Sequence, residues 1–174
     1  MSSIDYDLSK VRAVAFDVDG VLSPTVVPMA LNGEPMRMVN VKDGYALQLA
    51  MKQGLKLAII TGARTEAVEI RFRGLGLKDV FMNSSMKAPI LSEWMAREGL
   101  KPEEVAFVGD DIPDLQAMQM VGLPVAPADA AAEIKAVARY ISPCAGGQGV
   151  ARDLLEQIMK VQGLWLSDEK AFGW

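Results

Sequence analysis

Short apolar runs alternate with longer amphipathic stretches along this chain. Val11–Phe16, Leu55–Ile60 and Val105–Val108 are near-continuous apolar segments of strand length, with weaker candidates at Val80–Met82 and Leu123–Ala126, and each ends in polar or glycine residues. Between them apolar positions recur at three- and four-residue spacing. That periodicity predicts helices at Tyr45–Gln53, Thr65–Leu75, Ala88–Glu98, Asp114–Val121, Ala130–Ala138 and Val150–Val161. Such alternation predicts an α/β fold, a doubly wound parallel sheet with helices on both faces. Ligand chemistry in that architecture sits at the carboxyl ends of the strands.

One stretch breaks the rhythm. From Ser23 to Val41 the residues alternate around Asn32-Gly33, a pair suited to a tight turn, so a β-hairpin is expected as an insertion after the first strand. The remaining pattern fits a single domain over residues 1–163. Residues 164–174 read as a C-terminal tail, since they follow the last helical pattern and are bordered by Gly163 before them and Gly173 near their end. The tail carries Trp165 and Trp174, for which burial against another subunit is an expectation.

Composition narrows the chemistry. With 174 residues, 51% of them hydrophobic, the chain can bury one sizeable core. A formal net charge of −4 removes the electrostatic footprint of a nucleic-acid or anionic-membrane binder. Cys144 is the single cysteine, which excludes an intrachain disulfide and fits a reducing cytoplasm. No apolar run approaches the roughly 20 residues of a membrane span, and the first residues show no basic-then-apolar leader, so an unexported cytoplasmic protein is expected. Most informative is the absence of histidine. Ser-His-Asp and Cys-His sites are ruled out, acid-base work falls to carboxylates, lysine or tyrosine, and any metal site must rely mainly on oxygen, which favours magnesium, calcium or manganese.

The candidate chemistry lies where strands end. Asp17-Val18-Asp19-Gly20 follows the first strand, and in extended backbone Asp17 and Asp19 project to the same side, a crowding that calls for a cation or a shared proton. Alone, the pattern is equally an Asp-Gly turn. After the second strand, Thr61-Gly62-Ala63-Arg64 places a hydroxyl, a glycine amide and a guanidinium near a helix N-terminus, which suits a phosphate or an ordinary capping turn. Gly109-Asp110-Asp111-Ile112-Pro113-Asp114 supplies three more carboxylates, of which helix capping explains one. Lys87 stands at the expected start of a helix, where a cation opposes the dipole; taken singly it reads as a solvated surface lysine.

Together, Asp17-x-Asp19-Gly20, Thr61-Gly62, Lys87 and Gly109-Asp110-Asp111-x-x-Asp114 resemble, in order and spacing, the haloacid dehalogenase superfamily of phosphohydrolases. The resemblance extends to Asn40-Val41-Lys42-Asp43-Gly44, Arg71, Gly122-Leu123-Pro124-Val125, Ala128-Asp129-Ala130 and Gly146-Gly147-x-Gly149-x-x-Arg152. These look like the capless subfamily that dephosphorylates 3-deoxy-D-manno-octulosonate 8-phosphate. Its members carry a hairpin after the first motif and form tetramers in which neighbours complete each active site.

The resemblance implies a magnesium-dependent phosphomonoesterase of lipopolysaccharide precursor synthesis, with manganese or cobalt as substitute metals. It implies Asp17 as nucleophile, Asp19 as acid and then base, and a metal held by Asp17, the Asp19 backbone carbonyl and Asp110. Asp111 and Asp114 would orient those ligands and Lys87, while Thr61, the Gly62 amide and Lys87 would hold phosphoryl oxygens. Asn40, Lys42, Asp43, Gly44 and Arg71 match positions that bind the sugar acid or its phosphate in the subfamily, and Gly62, Arg64 and Lys87 are further substrate-binding candidates. Arg152 and the glycines before it match a segment that closes a neighbouring site, although Gly146–Gly149 reads equally as a flexible linker. Two departures stand out: Gln48 and Ala63 replace arginines of the subfamily, which weakens a carboxylate clamp unless Arg64 serves. The alternatives are a phosphatase for a nine-carbon sugar acid phosphate, a receiver-type phosphoacceptor, and an inactive interaction protein. The order of the acidic motifs is wrong for a receiver, and every core catalytic position is intact.

Overall fold

In the computed structural model, which describes residues 3–173, six strands form one parallel sheet in the order β3-β2-β1-β4-β5-β6. The strands are β1 (Ala13–Phe16), β2 (Lys56–Ile60), β3 (Asp79–Phe81), β4 (Val105–Val108), β5 (Leu123–Ala126) and β6 (Tyr140–Ile141). The helices are α1 (Val41–Lys52), α2 (Glu66–Gly74), α3 (Lys87–Glu98), α4 (Leu115–Met118), α5 (Ala132–Val137) and α6 (Val150–Val161). Alternate strand residues feed two cores. Val14, Phe16, Leu57, Ile59 and Val108 pack under α1, α2 and α6; Ala13, Ala15, Ile60, Val105 and Phe107 pack under α3, α4 and α5. Burial on both faces explains why these strands read as continuous apolar runs.

Strand order reverses at β1, whose neighbours are β2 and β4. Successive connections leave β1 in opposite directions, opening a crevice at its carboxyl end. Asp17 follows β1 there and Gly109 follows β4.

Several elements differ from the sequence pattern for identifiable reasons. α1 begins at Val41, four residues before the expected start, because the Asn40 side chain caps it by accepting from the Lys42 and Asp43 amides. The stretch expected as a helix over Asp114–Val121 splits into a 3₁₀ turn at Ile112–Asp114 and a four-residue α4, with Pro113 in the turn. β6, only two residues long, has no expected counterpart. The hairpin closes through Ala30 and Met36 amides donating to the Glu34 and Pro28 carbonyls around Gly33, at φ +84°. Its ladder is confined to one bridge, Met29 with Pro35; Pro28 and Pro35 lack the amides that would extend it.

The C-terminal segment is packed within this chain rather than left as a tail. Tyr45 donates to the Ala171 carbonyl (2.6 Å), and Trp165 lies edge-on to Tyr45 with ring centroids 6.1 Å apart. The Arg152 guanidinium lies 4.6 Å from the Trp165 ring centroid, so this tryptophan finds its cover locally. Trp174 lies outside the described residues.

Candidate active site

The end of β1 turns sharply. The Asp17 amide still bonds the Val108 carbonyl (3.0 Å), after which the amides of Val21, Leu22 and Ser23 all converge on the Val18 carbonyl. That turn needs Gly20 at φ +80°, and a Cβ there would sit 1.8 Å from Asp110 Oδ2. Glycine thus lets the loops after β1 and β4 meet. A Cβ on Gly109 would lie 2.4 Å from the Asp114 Cβ, so the second acidic loop is folded equally tightly.

Asp114 is buried and both its oxygens are engaged. Oδ2 accepts from the Asp110 and Asp111 amides (2.9 and 3.4 Å), and Oδ1 meets Lys87 Nζ at 2.6 Å. Lys87 also reaches Asp17 Oδ1 at 2.8 Å, and its side chain is only 5% exposed. The lysine at the start of α3 is therefore a buried bridge between two carboxylates, not a surface residue. Asp17 Oδ1 additionally accepts from the Val18 amide (2.7 Å), while no described bond engages Oδ2.

Burial dominates the electrostatics. It pushes the Asp17 carboxyl up to about 8, with the Asp114 charge adding to the rise and Lys87 opposing it. Asp110 rises to about 7, again from burial first and then from the charges of Asp114 and Asp111. Burial by itself would lower the Lys87 pKa, but the two carboxylates outweigh it and hold the ammonium charged. Oxygens of Asp17, Asp110 and Asp114 lie within 4.8 Å of one another. With both Asp114 oxygens already engaged, the oxygens of Asp17 and Asp110 are the donors on offer, and with the surplus negative charge around them they fit a hard divalent cation.

Asp17, Asp19, Gly20, Thr25, Gly62, Ser84, Ser85, Lys87, Asp110 and Asp111 line one cleft of about 500 Å³. Thr61 lies beneath it, fully buried, its hydroxyl accepting from the Ala63 amide at 3.1 Å. The bond closes a local hydroxyl turn ahead of α2 rather than capping the helix, whose N-cap Thr65 makes no side-chain cap bond, and it leaves Gly62 at the cleft surface. Asn83, at φ +56°, donates its amide to the Ala63 carbonyl, and Ser84 donates to the Thr61 carbonyl, tying the loops after β2 and β3 together.

Residues 40–122 match the haloacid dehalogenase-like hydrolase family. The chain is 38% identical over 153 residues to the 3-deoxy-D-manno-octulosonate 8-phosphate phosphatase KdsC of Escherichia coli K12, covering 88% of this chain and 81% of that protein. The chain belongs to the 3-deoxy-D-manno-octulosonate 8-phosphate phosphatase family of haloacid dehalogenase-like hydrolases. Its fold is similar to that of the phosphatase of this type from Moraxella catarrhalis in complex with magnesium, phosphate and KDO, at TM-score 0.85 and 31% identity over 90% of each chain. The cobalt-bound form of the Haemophilus influenzae phosphatase is similar at TM-score 0.85 and 29% identity, covering 90% of this chain and 91% of that one.

The other positions that this phosphatase family suggested lie away from the cleft. Asn40 caps α1 and donates its side-chain amide to the Gly147 carbonyl (3.2 Å). Asp43 is buried and accepts from the Arg152 amide at 2.8 Å, which caps α6. Its Oδ2 has no hydrogen-bond partner among the described residues, and burial pushes the carboxyl up to about 6. Gly44 makes room for Arg71, whose Nη2 would meet a Cβ there at 2.7 Å. Lys42 and Arg152 border a separate surface hollow with Trp165, and Arg64 is exposed on the turn before α2. Gly146–Gly149 is no loose linker: Gly146 packs on the Gly20 carbonyl, and the Gly147 amide bonds the Val21 carbonyl at 2.8 Å.

Asp129, which the sequence placed in a family motif without a role, and Arg37, which it did not single out, both prove to be structural partners of the site. Asp129 accepts from the Gly146 amide (2.8 Å) and from the Thr25 hydroxyl (3.4 Å), locking the glycine loop to the hairpin root. Arg37, on the hairpin, forms a two-pronged ion pair with Asp19, Nε to Oδ1 at 2.8 Å and Nη2 to Oδ2 at 3.0 Å. The pair is made by the return path of the hairpin, which no local pattern in the sequence signals.

Proposed function

We propose that this protein hydrolyses 3-deoxy-D-manno-octulosonate 8-phosphate to the free sugar acid and inorganic phosphate, in lipopolysaccharide precursor synthesis. The observation that carries this reading is the buried Asp17–Lys87–Asp114 bridge facing Asp110 across a polar cleft, in a chain whose relatives are phosphatases of this type. Asp17 Oδ2 attacks phosphorus and forms an aspartyl-phosphate as the bond to the sugar oxygen breaks. Asp19 gives that oxygen a proton, then takes one from the water that cleaves the aspartyl-phosphate. Lys87 and the Gly62 amide stabilise the charge on the phosphoryl oxygens, with Thr61 supporting the turn that presents the amide.

Magnesium, the metal in the Moraxella complex, would be held by the Asp17 carboxylate, Asp110 and the Asp19 backbone carbonyl, and when bound it would offset repulsion between carboxylate and phosphate. Cobalt, as in the Haemophilus structure, and manganese would substitute. Asp114 and Asp111 orient these groups, Asp114 having no oxygen free for a metal.

The assembly we propose is a homotetramer whose neighbours close each cleft. Its support is the apolar surface of the hairpin and the turn that follows, where Val26, Met29, Leu31, Met36, Met38, Val39 and Val41 are all exposed. Lys42, Arg64 and Arg71 would then serve a site that includes a neighbour. The free Cys144 thiol accords with a cytoplasmic location. Among the described residues no helix is long and apolar enough to cross a membrane. Phosphate release with magnesium from the eight-carbon and nine-carbon sugar acid phosphates, with the solution mass in parallel, tests the reading. Preference for the eight-carbon substrate and a tetrameric mass are expected; preference for the nine-carbon one would overturn the substrate, and a monomer the shared site.

A further inference from the structure

We propose that Arg37 is the carboxylate-recognising residue of this site, holding Asp19 in the free enzyme and taking the substrate's own carboxylate in its place when the cleft is filled. This rests on the sugar acid reading above. The ion pair is asymmetric: the Arg37 side chain is 11% exposed, whereas that of Asp19 is 49% exposed. The arginine is the anchored partner. Its Nη1 donates to Thr65 Oγ1 (3.1 Å) and to the Pro35 carbonyl (3.5 Å), and Thr65 in turn donates to Glu34 Oε2 (2.8 Å). The far edge of the guanidinium is thus fixed between the hairpin and the start of α2. The near edge, Nε and Nη2, faces a cleft-lining carboxylate.

Both oxygens of Asp19 are occupied in this arrangement. To protonate the leaving sugar oxygen, Asp19 must carry a proton, and a protonated carboxyl no longer matches both donors of the Arg37 fork, so at least one of the two bonds is given up. A buried guanidinium left with unpaired donors is costly, so the exchange is favourable only if another acceptor of the same shape arrives. A carboxylate matches that fork in a way that hydroxyls do not. A sugar acid phosphate carries one; an ordinary phosphomonoester does not. The exchange would also explain how the chain manages with Gln48 and Ala63, because among the described residues Arg37 is the guanidinium bonded to a cleft-lining side chain. Arg152, by contrast, is engaged with Glu156 and Trp165.

The test compares wild type, Arg37→Gln and Arg37→Lys on two substrates, the eight-carbon sugar acid phosphate and the carboxylate-free sugar phosphate arabinose 5-phosphate. Losing a charge-assisted two-pronged contact should lower kcat/KM on the sugar acid phosphate about 10- to 100-fold more than on arabinose 5-phosphate, mainly through KM. Arg37→Lys keeps the charge without the fork and should show the same differential, smaller in size. Equal losses on both substrates would mean that Arg37 acts only through Asp19, overturning the clamp while leaving the sugar acid reading intact. Wild type that turns over arabinose 5-phosphate but not the sugar acid phosphate would overturn both.

Discussion

Lys87→Met removes the one cation between Asp17 and Asp114 while keeping the length of the side chain. Nζ lies 2.8 Å from Asp17 Oδ1 and 2.6 Å from Asp114 Oδ1. At an effective dielectric of about 20, each contact is an attraction of roughly 6 kcal/mol before dehydration is counted. Burying the ammonium offsets most of this, and removing one partner of a buried pair typically costs about 3–5 kcal/mol. The variant should therefore lose about 4 kcal/mol near pH 8, lowering Tm by roughly 8–16 °C for a chain of this size. The loss should be pH-dependent, and its sign is determined. Burial and mutual repulsion already raise the Asp17 carboxyl, and without Lys87 it rises further, so the folded variant favours protonated acid. Stability is then recovered at low pH and lost as pH rises through the raised pKa. Urea unfolding with EDTA at pH 5.5 and pH 8 measures both values. A variant as stable as wild type at pH 8, or equally destabilised at both, would refute the reasoning.

Gly20→Ala should keep the fold, judged by circular dichroism, but lower phosphatase activity at least about 100-fold and weaken magnesium binding in calorimetry, because its Cβ would displace Asp110 and strain a φ of +80°. Asp43→Asn should remove a slope from the stability profile. The rise of Asp43 from 3.8 to about 6 corresponds to roughly 3 kcal/mol, present at low pH and lost as pH rises through about 6. Parallel wild-type and Asp43→Asn profiles between pH 4 and 7 would contradict this.

The architecture was largely legible because strands buried on both faces leave continuous apolar runs, and because catalytic motifs stop where those runs stop. Ala13–Phe16 and Val105–Val108 show this directly, ending at Asp17 and at Gly109-Asp110. β6 was not legible, since two residues carry no period. The early start of α1 was masked by Gly44, a poor helix former required for the approach of Arg71. Within the site, Lys87 announced itself by opposing a helix dipole, but its bridging of Asp17 and Asp114 depends on how α3 packs against β2 and the Ile112–Asp114 turn. The Arg37–Asp19 pair was hidden for a similar reason. The hairpin's return path, fixed by its turn and by Thr65, brings the arginine to the cleft, and no local spacing encodes that. The fold-back of residues 164–173 depends on Tyr45 and Arg152, distant in sequence and unremarkable in pattern.

The most direct measurement is phosphate release from 3-deoxy-D-manno-octulosonate 8-phosphate by wild type and Asp17→Asn, with and without magnesium. With Asp17 as nucleophile, wild type releases phosphate only with the metal, and the variant loses about 10⁴-fold or more in kcat even at saturating magnesium, in the range seen on removing a covalent nucleophile. Turnover by Asp17→Asn within tenfold of wild type would contradict the account.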